Sequence, residues 1–232
     1  VERSRGLGDV YKRQEFHHVL GRTITKLAPD PHKSLLAAAA DYDVPIYTPS
    51  PGDSSIALNL VVPHLFEKRI WLDPLQDVLE TAAIVRSASK NGVVEIGGGS
   101  PKNFYMQTQP MLQQILHDPR GLGHDYFIQL TTDSPHWGGL SGATPQEARS
   151  WGKIKDARRN HVVVYSCASL TFPLLAAYVL GRNRPRPLKR LYRQVNSYVQ
   201  ELVEAARDNR RLQDDIALTQ AARRTRTAAR RT

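Results

Sequence analysis

Cysteine is nearly absent from this chain of 232 residues. The single one, Cys167, has no partner for an intrachain disulfide, and the paired Cys or Cys/His spacing of a structural zinc site is missing. We therefore expect neither a disulfide scaffold nor a metal site. A reducing, cytoplasmic setting suits such a chain best.

Long apolar runs are missing as well. The longest, LTFPLLAAYVLG at 170–181, is well short of the roughly 20 residues that a membrane-spanning helix needs, so no membrane partner is expected. The first residues, VERSRGLGDVYKRQEF, have neither the apolar centre of a secretory signal nor an initiator methionine. We expect residues 1–14 to be a non-native leader that resembles translated adapter or vector sequence, and we exclude them from the fold prediction.

Acidic residues are scarce only in the C-terminal part. Residues 181–232 carry 14 Lys or Arg against 5 Asp or Glu, whereas residues 1–180 carry 18 against 17, so the net charge of +10 lies almost entirely in the tail. A basic tail can bind nucleic acid. Aromatic residues are sparse there, however, and no nucleic-acid motif appears, so we favour a solvated helical arm.

Short apolar runs alternate with helical patterns between residues 32 and 181. Strand-like runs lie at 44–49, 92–97, 125–132 and 161–166, and helical patterns lie at 32–43, 72–90, from Pro101 onward and at 169–181. Strands separated by helices need crossover connections, so we predict an α/β fold with a doubly wound, mostly parallel, Rossmann-like sheet. We assign residues 15–185 to this domain.

The carboxyl ends of the predicted strands are where a ligand is expected, because ligands of such sheets bind beyond those ends. This rule selects the loops at 49–55, 97–102, 131–142 and 166–169.

Residues 186–232 are predicted to form a basic helical tail, with the last ten residues disordered. Apolar residues recur there at steps of three and four, at Leu188, Leu191, Val195, Tyr198, Val199 and Leu202. Such a stripe needs a partner surface, either on the body of the chain or on another subunit.

The stretch IGGGSPK at 96–102 stands between a predicted strand and a predicted helix. Its glycines let the backbone approach a ligand closely, and the free amides of a helix start favour an anion. Lys102 is unfavourably placed for the helix dipole in that first turn, and a bound anion would explain it. A tight strand-to-helix turn explains the same glycines equally well.

The stretch SPGDSS at 50–55 has two interpretations. Asp53 could accept hydrogen bonds from a ribose or from a cationic amine. Asp or Ser in front of IALNL is also what a helix cap requires, and from the local sequence we favour the cap.

Lys153 in EARSWGKI could act as a nucleophile if burial lowers its pKa enough to give a neutral amine. Trp151 would give apolar cover and a face for a substrate cation, and Glu147 could anchor the ammonium group of a polyamine. The competing interpretation is a surface lysine at a helix C-terminus, which is the ordinary case for an isolated lysine.

The stretch SGATPQEARSWGKI at 141–154 strongly resembles the active-site signature of the deoxyhypusine synthase family. The resemblance continues in matching order from PIYTPSPGDSS through GGGSPK to SLTFPLL, over roughly 130 residues. It implies the fold of that family. It also implies that an N-terminal half, which carries further cofactor contacts, is not part of the matching region, so that the domain is N-terminally truncated.

The resemblance further implies NAD-dependent dehydrogenation of spermidine, capture of the imine by a lysine and transfer of the 4-aminobutyl group to an acceptor amine. The acceptor would be a protein lysine, which gives deoxyhypusine. A homotetramer with sites between subunits is also implied. The matching positions are Lys153 for catalysis; Glu147, Trp151, Asn103 and Ser141 for substrate; and Asp53, Gly97, Gly98, Gly99, Lys102, Thr132 and Ala168 for NAD.

Several positions depart from the family pattern. Asn103 stands where other members have histidine, and acidic positions of the family fall on Trp137, Leu140, Leu58 and Cys167. The segment TTDSPHWGGLSG instead resembles the bacterial deoxyhypusine synthase-like branch, in which the acceptor could be a diamine such as putrescine, giving homospermidine. Asp133 and His136 could then replace some of the lost polar contacts. An inactive truncated fragment is the remaining alternative.

Overall fold

The computed structural model describes residues 10–11, 13–66, 70–155 and 160–229. Most of the expected leader, residues 1–9 and 12, lies outside this part of the chain. The strands are β1 Val10–Tyr11, β2 Trp71–Leu72, β3 Gly92–Ile96, β4 Tyr126–Thr131 and β5 His161–Tyr165. The helices are α1 Arg13–Leu27, α2 Leu35–Asp41, α3 Ser55–Leu65, α4 Pro74–Ser87, α5 Ser100–Met106, α6 Thr108–Pro110, α7 Pro145–Ser150, α8 Ala168–Arg182, α9 Val195–Asp208 and α10 Arg210–Ala229.

A parallel sheet of three strands, in the order β3–β4–β5, forms the centre of the α/β fold. Glu95 of β3 pairs with Gln129 of β4, which in turn pairs with Val163 of β5. The three strands confirm the strand-like runs at 92–97, 125–132 and 161–166 to within a residue at each end. Their spatial order follows chain order without reversal, so a doubly wound arrangement remains a prediction.

The strand predicted at 44–49 is wrong. These residues form no strand and pair with no strand among the described residues. The amide of Val44 closes the end of α2 on the carbonyl of Ala39 at 2.8 Å, and the carbonyl of Ile46 lies 3.1 Å from Nδ1 of His17. A strand needs a ladder partner beside it, which no local sequence pattern can supply. The short parallel pair β1–β2 was not predicted.

Helix α4 shows how local sequence fixes an element. The Oδ1 of Asp73 accepts hydrogen bonds from the amides of Leu75 at 2.9 Å and Gln76 at 3.2 Å, and Pro74 occupies the first helical position. One face of α4 is buried, with Ala82, Ala83 and Val85 in an apolar core that also contains Leu112 and Leu202.

The tail packs on the body of the chain, so its apolar stripe finds its partner surface within the same chain. Helix α9 packs against α4, and Val195 and Leu202 are each only 1% exposed. Arg190 and Arg193 both form ion pairs with Asp43, at 2.6 Å and 2.7 Å, and the amide of Tyr192 donates to the carbonyl of Asp43 at 2.8 Å. We call these three ion-paired residues and the α4–α9 contact the tail anchor.

The end of the chain differs from the prediction of disorder over the last ten residues. Helix α10 continues to Ala229, and residues 230–232 lie outside the described part. Alanine and arginine are strong helix formers, and no glycine or proline interrupts the stretch 210–229.

Helices α3 and α8 are apolar but poorly covered. No residue of α8 is buried, and Leu170, Leu174, Tyr178 and Leu180 are each more than 60% exposed. In α3, Leu58 and Leu65 are similarly exposed. The described helices include none with the length and apolarity needed to cross a bilayer.

Candidate active site

The glycine turn after β3 lies at the carboxyl edge of the sheet. The amide of Gly97 donates to the carbonyl of Leu130 in β4 at 2.7 Å. Gly97 and Gly99 have φ of +81° and +86°, which favours glycine, and a Cβ at either would meet no atom of the described residues within 4 Å. A Cβ on Gly98 would lie 2.5 Å from Cα of Ser141. The outer two glycines therefore face open space, whereas the middle one allows two loops to touch.

Lys102 points into the protein, where its charge is balanced. Its Nζ donates to Oε1 of Gln129 at 3.1 Å and to the carbonyl of Ala143 at 2.8 Å, and it lies 3.5 Å from Oε2 of Glu95. It is also 5.8 Å from the centroid of the Phe127 ring. These partners explain the lysine in the first turn of α5 without the bound anion that the sequence suggested.

Glu95 and Gln129 were missed by sequence reasoning. They are cross-strand neighbours, 5% and 1% exposed. The Nε2 of Gln129 donates to the carbonyls of Gly97 at 3.0 Å and Ser141 at 2.8 Å, so this side chain joins the glycine turn to the loop after β4. The available signal was a polar residue inside each of the apolar runs GVVEIG and DYFIQLTT.

The backbone of Lys153 is held from two sides. Its amide donates to the carbonyl of Ala148 at the end of α7, and its carbonyl accepts from the amide of His124, both at 3.0 Å. The left-handed Gly152, with φ of +73°, makes the turn between α7 and Lys153. The position of Lys153 is thus fixed relative to the start of β4.

Among the residues that the structure describes, the amine of Lys153 has few polar partners. Its Nζ donates to Oδ1 of Asn103 at 2.8 Å and lies 5.9 Å from the centroid of the Trp151 ring. Burial lowers the pKa of Lys153 below its ordinary value; the carboxylate of Glu147 opposes this shift, the cation of Lys102 adds to it, and Glu95 opposes it. A lowered pKa increases the fraction of neutral, nucleophilic amine.

A small cleft of about 50 Å³ brings together several of the predicted residues. It is lined by Lys102, Asn103, Met106, Leu140, Ala143, Glu147, Ala148, Trp151 and Lys153. Helix α7 supplies Glu147, whose amide donates to Oγ1 of Thr144 at the helix cap at 3.2 Å. The cleft therefore combines a carboxylate, an indole and an amine.

The loop after β4 carries Ser141, Asp133 and His136. The Oγ of Ser141 donates to Oδ2 of Asp133 at 2.5 Å, which keeps the loop closed on itself. The Nε2 of His136 lies 2.8 Å from Oγ of Ser134, on the exposed side of the same loop. Asp133 is thus committed to Ser141, and its role as a replacement for lost family contacts remains a hypothesis.

The remaining predicted cofactor residues lie in loops or, for Ala168, at the start of a helix. Asp53 is exposed, and the helix cap of α3 is provided by Ser54, whose Oγ accepts from the amide of Ala57 at 3.1 Å. The loop of Asp53 reaches the glycine turn through Ser50, whose Oγ lies 3.0 Å from Oγ of Ser100. Thr132 follows β4 directly, and Ala168 begins α8 after β5.

Comparison with known proteins agrees with these motifs. The deoxyhypusine synthase family model matches residues 4–179, a range that includes most of the expected leader. The chain is 50% identical over 189 residues to a deoxyhypusine synthase-like protein of Nostoc punctiforme, a match that covers 77% of this chain and 47% of the relative. A protein of the same name from Cyanothece is 47% identical over 204 residues, covering 81% and 50%.

A probable deoxyhypusine synthase 2 of Methanosarcina acetivorans is 40% identical over 163 residues, which covers 70% of this chain and 46% of that protein. The chain thus spans about half the length of the curated relatives it matches. The match extends over both the glycine turn and the Lys153 motif. The chain therefore belongs to the deoxyhypusine synthase family.

Proposed function

We propose that the protein transfers the 4-aminobutyl group of spermidine to an acceptor amine through a covalent imine on Lys153. The observation that carries this proposal is the environment of Lys153. Its Nζ has an uncharged amide as its hydrogen-bond partner, at 2.8 Å, and burial lowers its pKa. Family membership supports a transferase.

Glu147 and Trp151 would bind the polyamine. A carboxylate in the wall of the cleft attracts an ammonium group, and the indole face attracts a cation or covers an alkyl chain. Asn103 and Ser141 would hold substrate beside the lysine. Asn103 would also orient Nζ toward the carbon that it attacks.

The residues present fit NAD in part. The open space beside Gly97 and Gly99 allows a phosphate or ribose to approach the backbone, and the Asp53 carboxylate suits a ribose hydroxyl. Thr132 and Ala168 would complete that side. Lys102 fits this role less well, because its ammonium group already has partners inside the protein. When bound, NAD would supply the hydride acceptor for oxidation of the donor amine and, in its reduced form, the hydride that converts the imine on the acceptor into an amine.

The part played by the chain itself is nucleophilic. The neutral amine of Lys153 adds to the imine carbon of the oxidised substrate, and the aminopropyl portion leaves as a free amine. The acceptor amine then attacks the Lys153 imine and displaces the lysine, which leaves an imine on the acceptor. Both exchanges need a Lys153 that gains and loses a proton near neutral pH, which a lowered pKa favours.

The acceptor is either a protein lysine or a small diamine such as putrescine. Leu140, in the cleft wall, and Trp137, which is 77% exposed, stand where the family has acidic residues. The resemblance of the segment TTDSPHWGGLSG to the bacterial branch favours the diamine. We also propose a homotetramer, supported by the uncovered apolar faces of α3 and α8.

The test is to incubate the protein with NAD and spermidine, reduce with borohydride, and locate the adduct by mass spectrometry. We expect a 4-aminobutyl group on Lys153 that requires NAD and is absent in Lys153→Ala. Lys155→Ala is the matched control, because Lys155 lies two residues away and pairs with Asp125 at 2.7 Å. A folded chain without an adduct would favour the inactive fragment. Addition of putrescine or candidate proteins then identifies the acceptor.

A further inference from the structure

A buried ion pair lies beneath the glycine turn. It joins Oε2 of Glu95 to Nζ of Lys102 at 3.5 Å, and the two side chains are only 3% and 7% exposed. Within the described part of the chain, neither carboxylate oxygen of Glu95 has a hydrogen-bond partner. A buried carboxylate with a single distant partner costs stability, so its presence calls for another reason.

The lysine of this pair connects the sheet to the active-site helix. Its second partner, the carbonyl of Ala143 at 2.8 Å, directly precedes Thr144, which caps α7. Helix α7 carries Glu147 and leads to Lys153. The pair thus fixes the start of α7 relative to β3 and β4.

The pair also acts on Lys153 by charge. Lys102 and Lys153 line the same cleft, and Asn103, which follows Lys102 on α5, holds Nζ of Lys153. The charged groups that act on Lys153 are Glu147 of α7, Lys102 of α5 and Glu95 of β3. The cation favours the neutral amine, and the two carboxylates favour the ammonium form.

We propose that Glu95 is a positioning residue for the reaction at Lys153: it holds the ammonium group of Lys102 in the cleft wall and sets how strongly that cation acts on the Lys153 amine. This inference rests on the proposed function. It assigns a role to a residue that none of the sequence motifs includes.

The titration of Glu95 supports this role. Burial raises the pKa of Glu95 to about 7, and the cations of Lys102 and Lys153 oppose the rise. Below that pH the carboxyl group is neutral, and Lys102 acts on Lys153 unopposed by Glu95. Above that pH the Glu95 carboxylate offsets part of the lowering of the Lys153 pKa by the Lys102 cation. The neutral fraction of Lys153 should therefore vary less steeply with pH than that of an isolated lysine.

Competitive acetylation measures this effect without NAD or spermidine. The folded chain is labelled with a trace of acetic anhydride between about pH 6 and about pH 9, a range that includes the titration of Glu95. Mass spectrometry then gives the labelling of Lys153 relative to Lys155, an internal reference whose own partner is Asp125.

We expect Glu95→Gln to raise the Lys153 to Lys155 ratio at neutral pH by roughly threefold, because an opposing carboxylate is lost. Lys102→Met should lower the ratio by a similar factor, and the double variant should fall between the two. Glu95→Asp and Lys102→Arg keep the charges and should change the ratio little.

A Glu95→Gln variant that is folded, by circular dichroism, but labels no faster than the wild type would overturn the proposal. This outcome decides the question even if Lys102→Met fails to fold. The proposed function is tested separately, by the spermidine adduct. If the acetylation ratios change as expected but no spermidine adduct forms on Lys153, the role of Glu95 is supported and the transferase function is contradicted.

Discussion

Asp43 in the tail anchor and Glu95 at the site are both buried carboxylates that meet cations, and they differ in how well they are paired. Asp43 has two arginines at 2.6 Å and 2.7 Å, whereas Glu95 has one lysine at 3.5 Å. Hydrogen bonds and charges from Arg190 and Arg193 outweigh burial and lower the pKa of Asp43. At Glu95 burial dominates, and the pKa rises to about 7.

Asp43 is closely paired, and its ion pairs join the tail to the body of the chain. At the carboxyl edge of the sheet, Glu95 is paired less closely, and its carboxyl group gains or loses a proton near neutral pH. Poorly compensated charge is a common property of functional sites. The two carboxylates should therefore change protein stability with pH in opposite directions.

The largest effect is expected from the apolar part of the tail anchor. Leu202→Ala should lower the free energy of unfolding by roughly 2–4 kcal/mol, because a fully buried side chain is replaced by a cavity against α4. Urea unfolding followed by circular dichroism measures it. Leu218→Ala is the matched control, since Leu218 is 70% exposed. Equal losses in both variants would contradict the docking of α9.

Glu95→Gln should remove the part of the pH dependence of the unfolding free energy that comes from this carboxyl group. Because its folded pKa of about 7 lies above the ordinary value of 4.5, the folded chain binds this proton more tightly, and the wild type loses stability as pH rises from about 4.5 to about 7. The variant should be more stable than the wild type above pH 7, by roughly 2–3 kcal/mol. Unfolding free energies at several pH values test the sign, and a variant that is less stable above pH 7 would refute it.

Asp43→Asn should change the free energy of unfolding in the opposite direction, by lowering it at neutral pH. A lowered pKa means that the carboxylate stabilises the fold above its ordinary pKa and that this contribution is lost as pH falls through the folded value. We expect a loss of roughly 1–2 kcal/mol at neutral pH, moderated by the solvent exposure of both arginines, and a smaller difference in acid. Asparagine also tolerates the left-handed φ of +51° at this position, so the substitution tests charge rather than backbone. If the loss of unfolding free energy in Asp43→Asn is the same at pH 7 and in acid, the charge of Asp43 is not its cause.

The smallest effect is expected for Arg193→Ala. The Arg193 side chain is 64% exposed, and Arg190 still pairs with Asp43, so the unfolding free energy should fall by less than about 1 kcal/mol. High salt should reduce the difference further. A loss as large as that of Asp43→Asn would mean that Arg193 alone carries the anchor.

Local sequence was sufficient for much of the fold. The alternation in GVVEIG, DYFIQLTT and HVVVYS located β3, β4 and β5, and the Asp-Pro start located α4. It was insufficient at 44–49, where an apolar run is typical of a strand but pairs with no segment in the described part of the chain. Strand formation depends on hydrogen bonds to a second segment, and one segment carries no information about the other.

The site divides in the same way. Sequence motifs selected Lys153, Glu147, Trp151 and Asn103, and the structure places all four around one cleft. The same motifs assigned Lys102 to a bound anion. The structure instead gives it Gln129, Ala143 and Glu95 as partners, from two strands and a distant loop.

By itself, the sequence determined the three strands of the central sheet, the order of the main helices around them and the residue types that the proposed chemistry needs, because periodicity, caps and motif spacing are local. Only the tertiary structure decided which charges meet. It buried Glu95 beside Lys102, set Asn103 against the Lys153 amine and joined Asp43 to arginines 147 and 150 residues further along the chain. Burial and charge pairing determine pKa and reactivity, and both depend on contacts between residues that are far apart in sequence.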